Sequence, residues 1–150
     1  MKKTTFLLLA VLAMTACNKN DDRSEEDEAA ILSDLTAKSI TTATRHESGI
    51  YYIITDPGTG GHPLPTNTVE VTYKGTYLDG DIFDQTNPGA TAEFTLGGLI
   101  EGWQISIPLL QKGGEGKFWI PSKLCYGSNP PQGVRKDAVM VFDIGLVDFN

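Results

Sequence analysis

An aspartate among aromatic residues, with no catalytic partner beside it, stands in the run VEVTYKGTYLDGDIFDQT at residues 69–86. Tyr73, Phe83 and Asp84 fall within that run, and Phe94, Leu99, Ile100, Trp103, Tyr126 and Phe142 follow it. Apolar rings with one carboxylate and two phenols suit non-covalent capture of an apolar group in a dry cleft, oriented by a few polar atoms. Nucleophilic chemistry fits poorly, because no Ser-His-Asp or Cys-His arrangement is present. His46 and His62 are isolated, and neither they nor Cys17 and Cys125 show the spacing of a metal site, so no metal and no cofactor is expected. The Gly-rich cluster at 56–61, DPGTGG, lacks the Lys-Ser/Thr ending and the following helix of a phosphate-binding loop.

These residues need elements to position them. Val69, Val71, Tyr73, Gly75 and Tyr77 alternate with polar residues, the period of a half-buried strand, and Asp79-Gly80 ends it at a turn. Strands are also expected over 50–55, around Phe94 and Leu96, over 115–120 and over 138–149. In the last of these, Met140, Phe142, Ile144 and Leu146 share one face, and Val139, Val141 and Asp143 the other. Ile100, Trp103, Ile107 and Leu110 describe one helix face, but Pro108 confines the helix to about 101–106. Four or five strands with one central helix predict an α+β domain: a curved antiparallel sheet wrapped around one short α-helix that contains Trp103. The apolar strand faces are expected to meet on that helix.

The N-terminus has a different character. Lys2-Lys3 precede an apolar stretch at 6–13, and Met14-Thr15-Ala16-Cys17 close it with small residues. This order predicts a secretory signal over 1–16, too short to span a bilayer as a mature helix. Its end resembles the bacterial lipobox, with Met14 where Leu is usual, which makes Cys17 the expected lipidated first residue and a lipid anchor to a membrane. Processing there would move the formal charge from −7 to −9, with 10 basic against 19 acidic residues remaining. So acidic a body argues against nucleic acid or an anionic membrane surface as the main partner.

Residues 18–28, NKNDDRSEEDE, carry six acids and two bases and are expected to form a disordered tether. The stretch also resembles a surface-display signal, and a solvated spacer fits it equally well. A short amphipathic helix should follow from 28 to about 40, where Ile31, Leu32 and Leu35 recur at helical spacing. The domains expected are therefore a signal peptide at 1–16, a tether with a short helix at 17–45, and a folded domain at 46–150.

The ordered motifs YxG…LDGxxFD, FxLG, LIxGW, IPxxLxYG and VFDIxLV, over residues 58–148, resemble the FKBP-type peptidyl-prolyl cis-trans isomerases. The resemblance implies an isomerase domain acting on proline-containing polypeptides, with macrolides of the FK506 class as possible inhibitors. It implies Trp103 as the pocket floor, with Tyr73, Phe83, Phe94 and Phe142 as walls and Leu99 and Ile100 as the apolar edge. Tyr126 would supply a hydroxyl at the mouth, Asp84 would be a buried carboxylate bonded to the Tyr73 hydroxyl, and Val134 would fill an apolar position on the late loop. Tyr73, Phe83, Asp84 and Tyr126 are then the catalytic candidates.

The chain also departs from the family pattern. Ala92 replaces a frequent pocket aromatic, Thr72 a frequent His, and Arg135-Lys136-Asp137 the usual late-loop Pro-Pro-Asn. Two functional classes stay open at this point: a lipid-anchored prolyl isomerase of the cell envelope, at either face of the outer membrane, and a non-catalytic peptide-binding chaperone or scaffold, which Ala92 would favour. A structural lipoprotein with an unused pocket is a third.

Overall fold

The computed structural model describes residues 19–150. The expected signal segment and Cys17 lie outside the described residues. The elements run α1 (Lys19–Ala37), β1 (Thr44–Arg45), β2 (Tyr51–Asp56), β3 (Thr68–Tyr77), β4 (Ile82–Gln85), β5 (Ala92–Thr95), α2 (Glu101–Ser106), β6 (Gly114–Ile120) and β7 (Met140–Phe149). Seven strands form one sheet in the order β1-β2-β6-β7-β3-β4, with β5 also pairing β3. Every pairing is antiparallel. The long β3–β7 pair brings Gly75 opposite Phe142 and Tyr73 opposite Ile144.

Alternation along the strands sends apolar side chains to both faces. Val69, Val71, Tyr77, Phe118, Ile120, Met140, Phe142, Ile144 and Leu146 are buried on the inner face with Trp103, Ile107 and Leu110. α2 can approach β6 closely because Gly102 has no side chain; a Cβ there would collide with Ile120 Cγ2. The helix stops at Ser106, and a 3-10 turn at Ile107–Leu109 carries Pro108, which has no amide to continue the α-helical ladder. The fold is thus the expected α+β curved sheet, with more strands than alternation alone suggested. β1 and β4 are too short to show a period.

Three expectations need correction. Residues from Lys19 onward are helical, not a disordered tether. The apolar faces also do not all meet on α2: Tyr51, Trp119, Val139 and Val141 point to the outer face and form a second core with Ile31 and Leu35 of α1. The sheet itself begins at Thr44, before the expected boundary at 46. Acidic composition suggested solvation because the partners are remote in sequence. Glu28 accepts from Arg45 Nε at 2.7 Å and from the Tyr51 hydroxyl at 2.8 Å. Asp34 accepts from Trp119 Nε1 at 2.8 Å.

Candidate active site

The inner face leaves a mostly apolar cleft among the described residues. It holds about 150 Å³ and is lined by Tyr73, Phe83, Asp84, Phe94, Leu99, Ile100, Trp103, Tyr126 and Phe142. Nine of the ten residues singled out from sequence for the site therefore converge. The tenth, Val134, is half-buried against the inner core and lies outside the lining. Ala92 is also outside the lining; it sits in β5 opposite Val71.

Trp103 organises the floor. It projects from α2, is only 5% exposed, and meets three rings edge-on. The centroids are 5.1 Å away for Tyr73, 5.3 Å for Phe142 and 5.9 Å for Phe94, at interplanar angles of 78° to 85°. Such T-shaped pairs satisfy the ring quadrupoles and hold a rigid wall beyond what area burial alone provides. Phe83 continues the wall, 5.5 Å from Phe142 and 5.0 Å from Tyr77. Trp103 Nε1 is buried without a hydrogen-bond partner among the described residues.

The polar atoms are few. The Tyr73 hydroxyl donates to Asp84 Oδ2 at 2.7 Å, and the Gln85 amide donates to Asp84 Oδ1 at 2.9 Å. Asp84 is exposed rather than buried as expected, because β4 is an edge strand with no further strand beyond it. Burial, then the hydrogen bond to Asp84, pushes the Tyr73 phenol up to about 12. Burial also raises Tyr126, followed by Cys125 and the charge of Asp84. Both phenols are therefore neutral donors at physiological pH. Burial, then the nearby Asp27 carboxylate, keeps the Cys125 thiol protonated, which removes it as a nucleophile.

Ile100 caps the start of α2, and its carbonyl accepts from Trp103 and Gln104. The amides of Ile100, Glu101 and Gly102 are donors that a helix start leaves without internal acceptors. Gln104 Nε2 ties back to the Leu99 carbonyl at 2.7 Å and steadies the strap that carries the cleft edge.

Two contributors were not assigned to the site from the sequence. Gly75 lies on the inner face directly across from Asp84, and a Cβ there would come within 2.5 Å of Phe83 Cζ. Its bare backbone is the space into which Phe83 packs; a glycine amid alternating large residues was the available signal. Arg135 is the other. Its amide donates to the Tyr77 hydroxyl at 2.9 Å, and its guanidinium lies 4.1 Å from the Tyr77 ring centroid while bonding Asp79 and Asp81. The altered late loop is therefore clamped to the β3–β4 turn, a contact that local pattern could not reveal.

This geometry agrees with comparisons against known proteins. Residues 60–147 match the family model described as FKBP-type peptidyl-prolyl cis-trans isomerase, and the chain belongs to that family. A relative named FKBP-type peptidyl-prolyl cis-trans isomerase FkpA, from Aeromonas hydrophila, is 40% identical over 67% of this chain and 38% of its own length. The probable FkpA of Neisseria meningitidis serogroup B is 35% identical over 87% of this chain and 48% of its own length. The chain thus spans less than half the length of these curated relatives. Among solved structures, FkpA from Escherichia coli superposes with a TM-score of 0.75 at 30% identity, covering 87% of this chain and 62% of that one. A peptidyl-prolyl cis-trans isomerase from Pseudomonas syringae pv. tomato gives 0.74 at 25% identity, covering 89% and 97%.

Proposed function

We propose that this chain accelerates rotation about X-Pro peptide bonds by binding the twisted amide in the Trp103 cleft. The observation that carries the proposal is an apolar floor, Trp103, met nearly edge-on by Tyr73, Phe94 and Phe142, beside which the only ionisable groups among the described lining residues are two neutral phenols and Asp84. The barrier to rotation, about 18–20 kcal/mol, comes from amide resonance, so no covalent bond need form. A twisted amide has lost conjugation, and its carbonyl carries less charge than a planar one. An apolar cleft therefore disfavours it less than it disfavours either planar isomer, and that difference lowers the barrier.

In this reading the prolyl ring packs on Trp103 between Tyr73, Phe94 and Phe142, and Phe83 and Leu99 hold the preceding residue. The Ile100 amide and the Tyr126 hydroxyl donate to substrate carbonyls, and Asp84 fixes the Tyr73 ring through its hydroxyl. The substrates are proline-containing segments of other polypeptides, and macrolides of the FK506 class would compete for the same cleft. The basic, apolar and small-residue order before Cys17 supports a lipid-anchored protein of the cell envelope, and a Legionella longbeachae relative, 35% identical, is named outer membrane protein MIP. No described helix is long and apolar enough to cross a membrane; the proposed anchor is acyl chains on Cys17.

The test is NMR exchange between the cis and trans forms of an X-Pro peptide with an apolar X. Uncatalysed exchange takes about 10–100 s at 25 °C. The folded chain should shorten it at catalytic concentration, and Tyr126→Phe should weaken the effect. No acceleration by a folded chain refutes the proposal, and peptide binding without acceleration would assign a holding role instead.

A further inference from the structure

α1 lies outside residues 60–147, the stretch that the family model matches, yet it reaches the loop that leads to Tyr126. Asp27, Ile31 and Asp34 recur at spacings of four and three on one face of the helix. Ile31 and Asp34 serve the outer core and Trp119, but Asp27 does something else. It is a carboxylate only 3% exposed, with no ion pair among the described residues. Its Oδ2 accepts two hydrogen bonds from a single residue: the Ser122 amide at 2.8 Å and the Ser122 hydroxyl at 2.6 Å. A buried carboxylate without a cation is costly unless its hydrogen bonds are well made. An apolar side chain would anchor the helix without that cost. What the carboxylate adds is direction, because it fixes Ser122 at both its backbone and its side chain.

Ser122, itself 1% exposed, passes that constraint on. Its carbonyl accepts from the Cys125 amide at 3.0 Å and the Gly127 amide at 2.9 Å, the two amides that flank Tyr126. The backbone between them is irregular: Cys125 lies at φ −104°, ψ −111°, and Gly127 has φ +52°. On the far side, the Gly127 carbonyl accepts from the Asp137 amide at 2.8 Å, and Asp137 stands 4.0 Å from Arg23 of α1. The Tyr126 side chain is 37% exposed and makes no hydrogen bond among the described residues. Its placement over the cleft is therefore inherited from the backbone at 125–127, which Ser122 holds and Asp27 orients.

We infer that Asp27 is a positioning residue for the cleft: through Ser122 it sets the loop that presents Tyr126, making α1 part of the isomerase unit rather than a tether to it. The inference rests on the isomerase reading of the cleft, with Tyr126 as a donor.

The test uses the full chain and four variants: Asp27→Ala, Asp27→Asn, Ser122→Ala and Glu28→Ala. Glu28 anchors the same helix at Arg45 and Tyr51 and makes no hydrogen bond to Ser122 among the described residues. Two readouts are taken: amide hydrogen exchange at Cys125 and Gly127 relative to Phe142 in β7, and kcat and KM for an X-Pro peptide. Asp27→Ala should speed exchange at Cys125 and Gly127 by about tenfold more than at Phe142, because the opening is local. It should lower kcat by about tenfold with KM changing less than threefold, the pattern of a contact made in the twisted state. Asp27→Asn keeps an acceptor oxygen and should restore most of both.

Glu28→Ala should lower the unfolding midpoint while leaving exchange at the two loop amides and kcat unchanged. Should Asp27→Ala fail to fold, Ser122→Ala, which keeps the amide donor and loses the hydroxyl, should still loosen the same two amides selectively. Equal acceleration at Phe142 and at the loop amides, or an unchanged kcat, would overturn the inference and leave Asp27 as a helix anchor alone. If the unsubstituted chain shows no isomerisation, the isomerase reading fails; the loop exchange then decides by itself whether Asp27 sets the loop.

Discussion

Replacing Gly75 by Ala tests how the cleft wall is built. The residue sits in β3 outside the left-handed region, so alanine suffers no backbone penalty there and the effect comes from packing. Its new Cβ would lie 2.5 Å from Phe83 Cζ, 2.8 Å from Phe83 Cε2 and 3.0 Å from Phe142 Cε1, against the 3.4 Å at which ordinary contact begins. Phe83 must therefore retreat by about 1 Å, or Phe142 must tilt, and overpacking of this kind costs about 1–3 kcal/mol. Loss of glycine flexibility in the unfolded chain returns about 0.4–1 kcal/mol. The net destabilisation should be roughly 1–2 kcal/mol, read as a lower urea midpoint with an unchanged slope.

Activity should fall further than stability. Phe83 neighbours Asp84 and touches Phe142, so its retreat moves the wall against which a prolyl ring would pack, and a misplacement of about 1 Å can cost up to about a hundredfold in rate. Gly61→Ala is the control, since nothing lies within 4 Å of that Cβ, and it should change stability by less than about 0.5 kcal/mol. Pairing Gly75→Ala with Phe83→Leu should recover part of the lost stability, because the two sites share one contact. A Gly75→Ala protein as stable and as active as the unsubstituted chain would refute this account of the wall.

Further outcomes follow from the Tyr73 phenol and from α1. Tyr73→Phe removes the hydrogen bond to Asp84 and should cost about 0.5–1.5 kcal/mol near neutral pH. Because the folded pKa, about 12, lies above the ordinary value of 10, the native state holds that proton more tightly. The contribution is full below pH 10 and fades as the pH rises toward 12. The urea-midpoint gap between the two proteins should therefore narrow over that window, and a widening gap would contradict the assigned shift. Ile31→Ala empties a fully buried position in the outer core and should cost about 2–5 kcal/mol, with a change in Trp119 fluorescence as Asp34 withdraws. A cost below about 0.5 kcal/mol would mean that α1 does not pack on the sheet.

Much of the fold is local and so was legible in the residues. Alternation in β3, β6 and β7 requires a sheet with a buried face, since a period of two can serve only a pleated strand. Pro108 confines α2 to one and a half turns, because its ring cannot sit inside a continuing helix. The aromatic set of the cleft was legible for a different reason: Tyr73, Phe83, Phe94, Trp103, Tyr126 and Phe142 stand in ordered motifs that resemble the isomerase family, and the sheet, curling over α2, brings them to one cleft. The tertiary structure alone decided the rest. Whether an acid is solvated or partnered depends on what lies against it, and the partner of Asp27 is 95 residues away. Composition therefore suggested a tether where packing makes a helix. Strands as short as β1 and β4 have no period to read, and they exist only because β2 and β3 offer them edges. The exposure of Asp84, the vacancy at Gly75 that admits Phe83, and the clamp of Arg135 on Tyr77 all depend on which segments meet, and a local pattern carries no information about that.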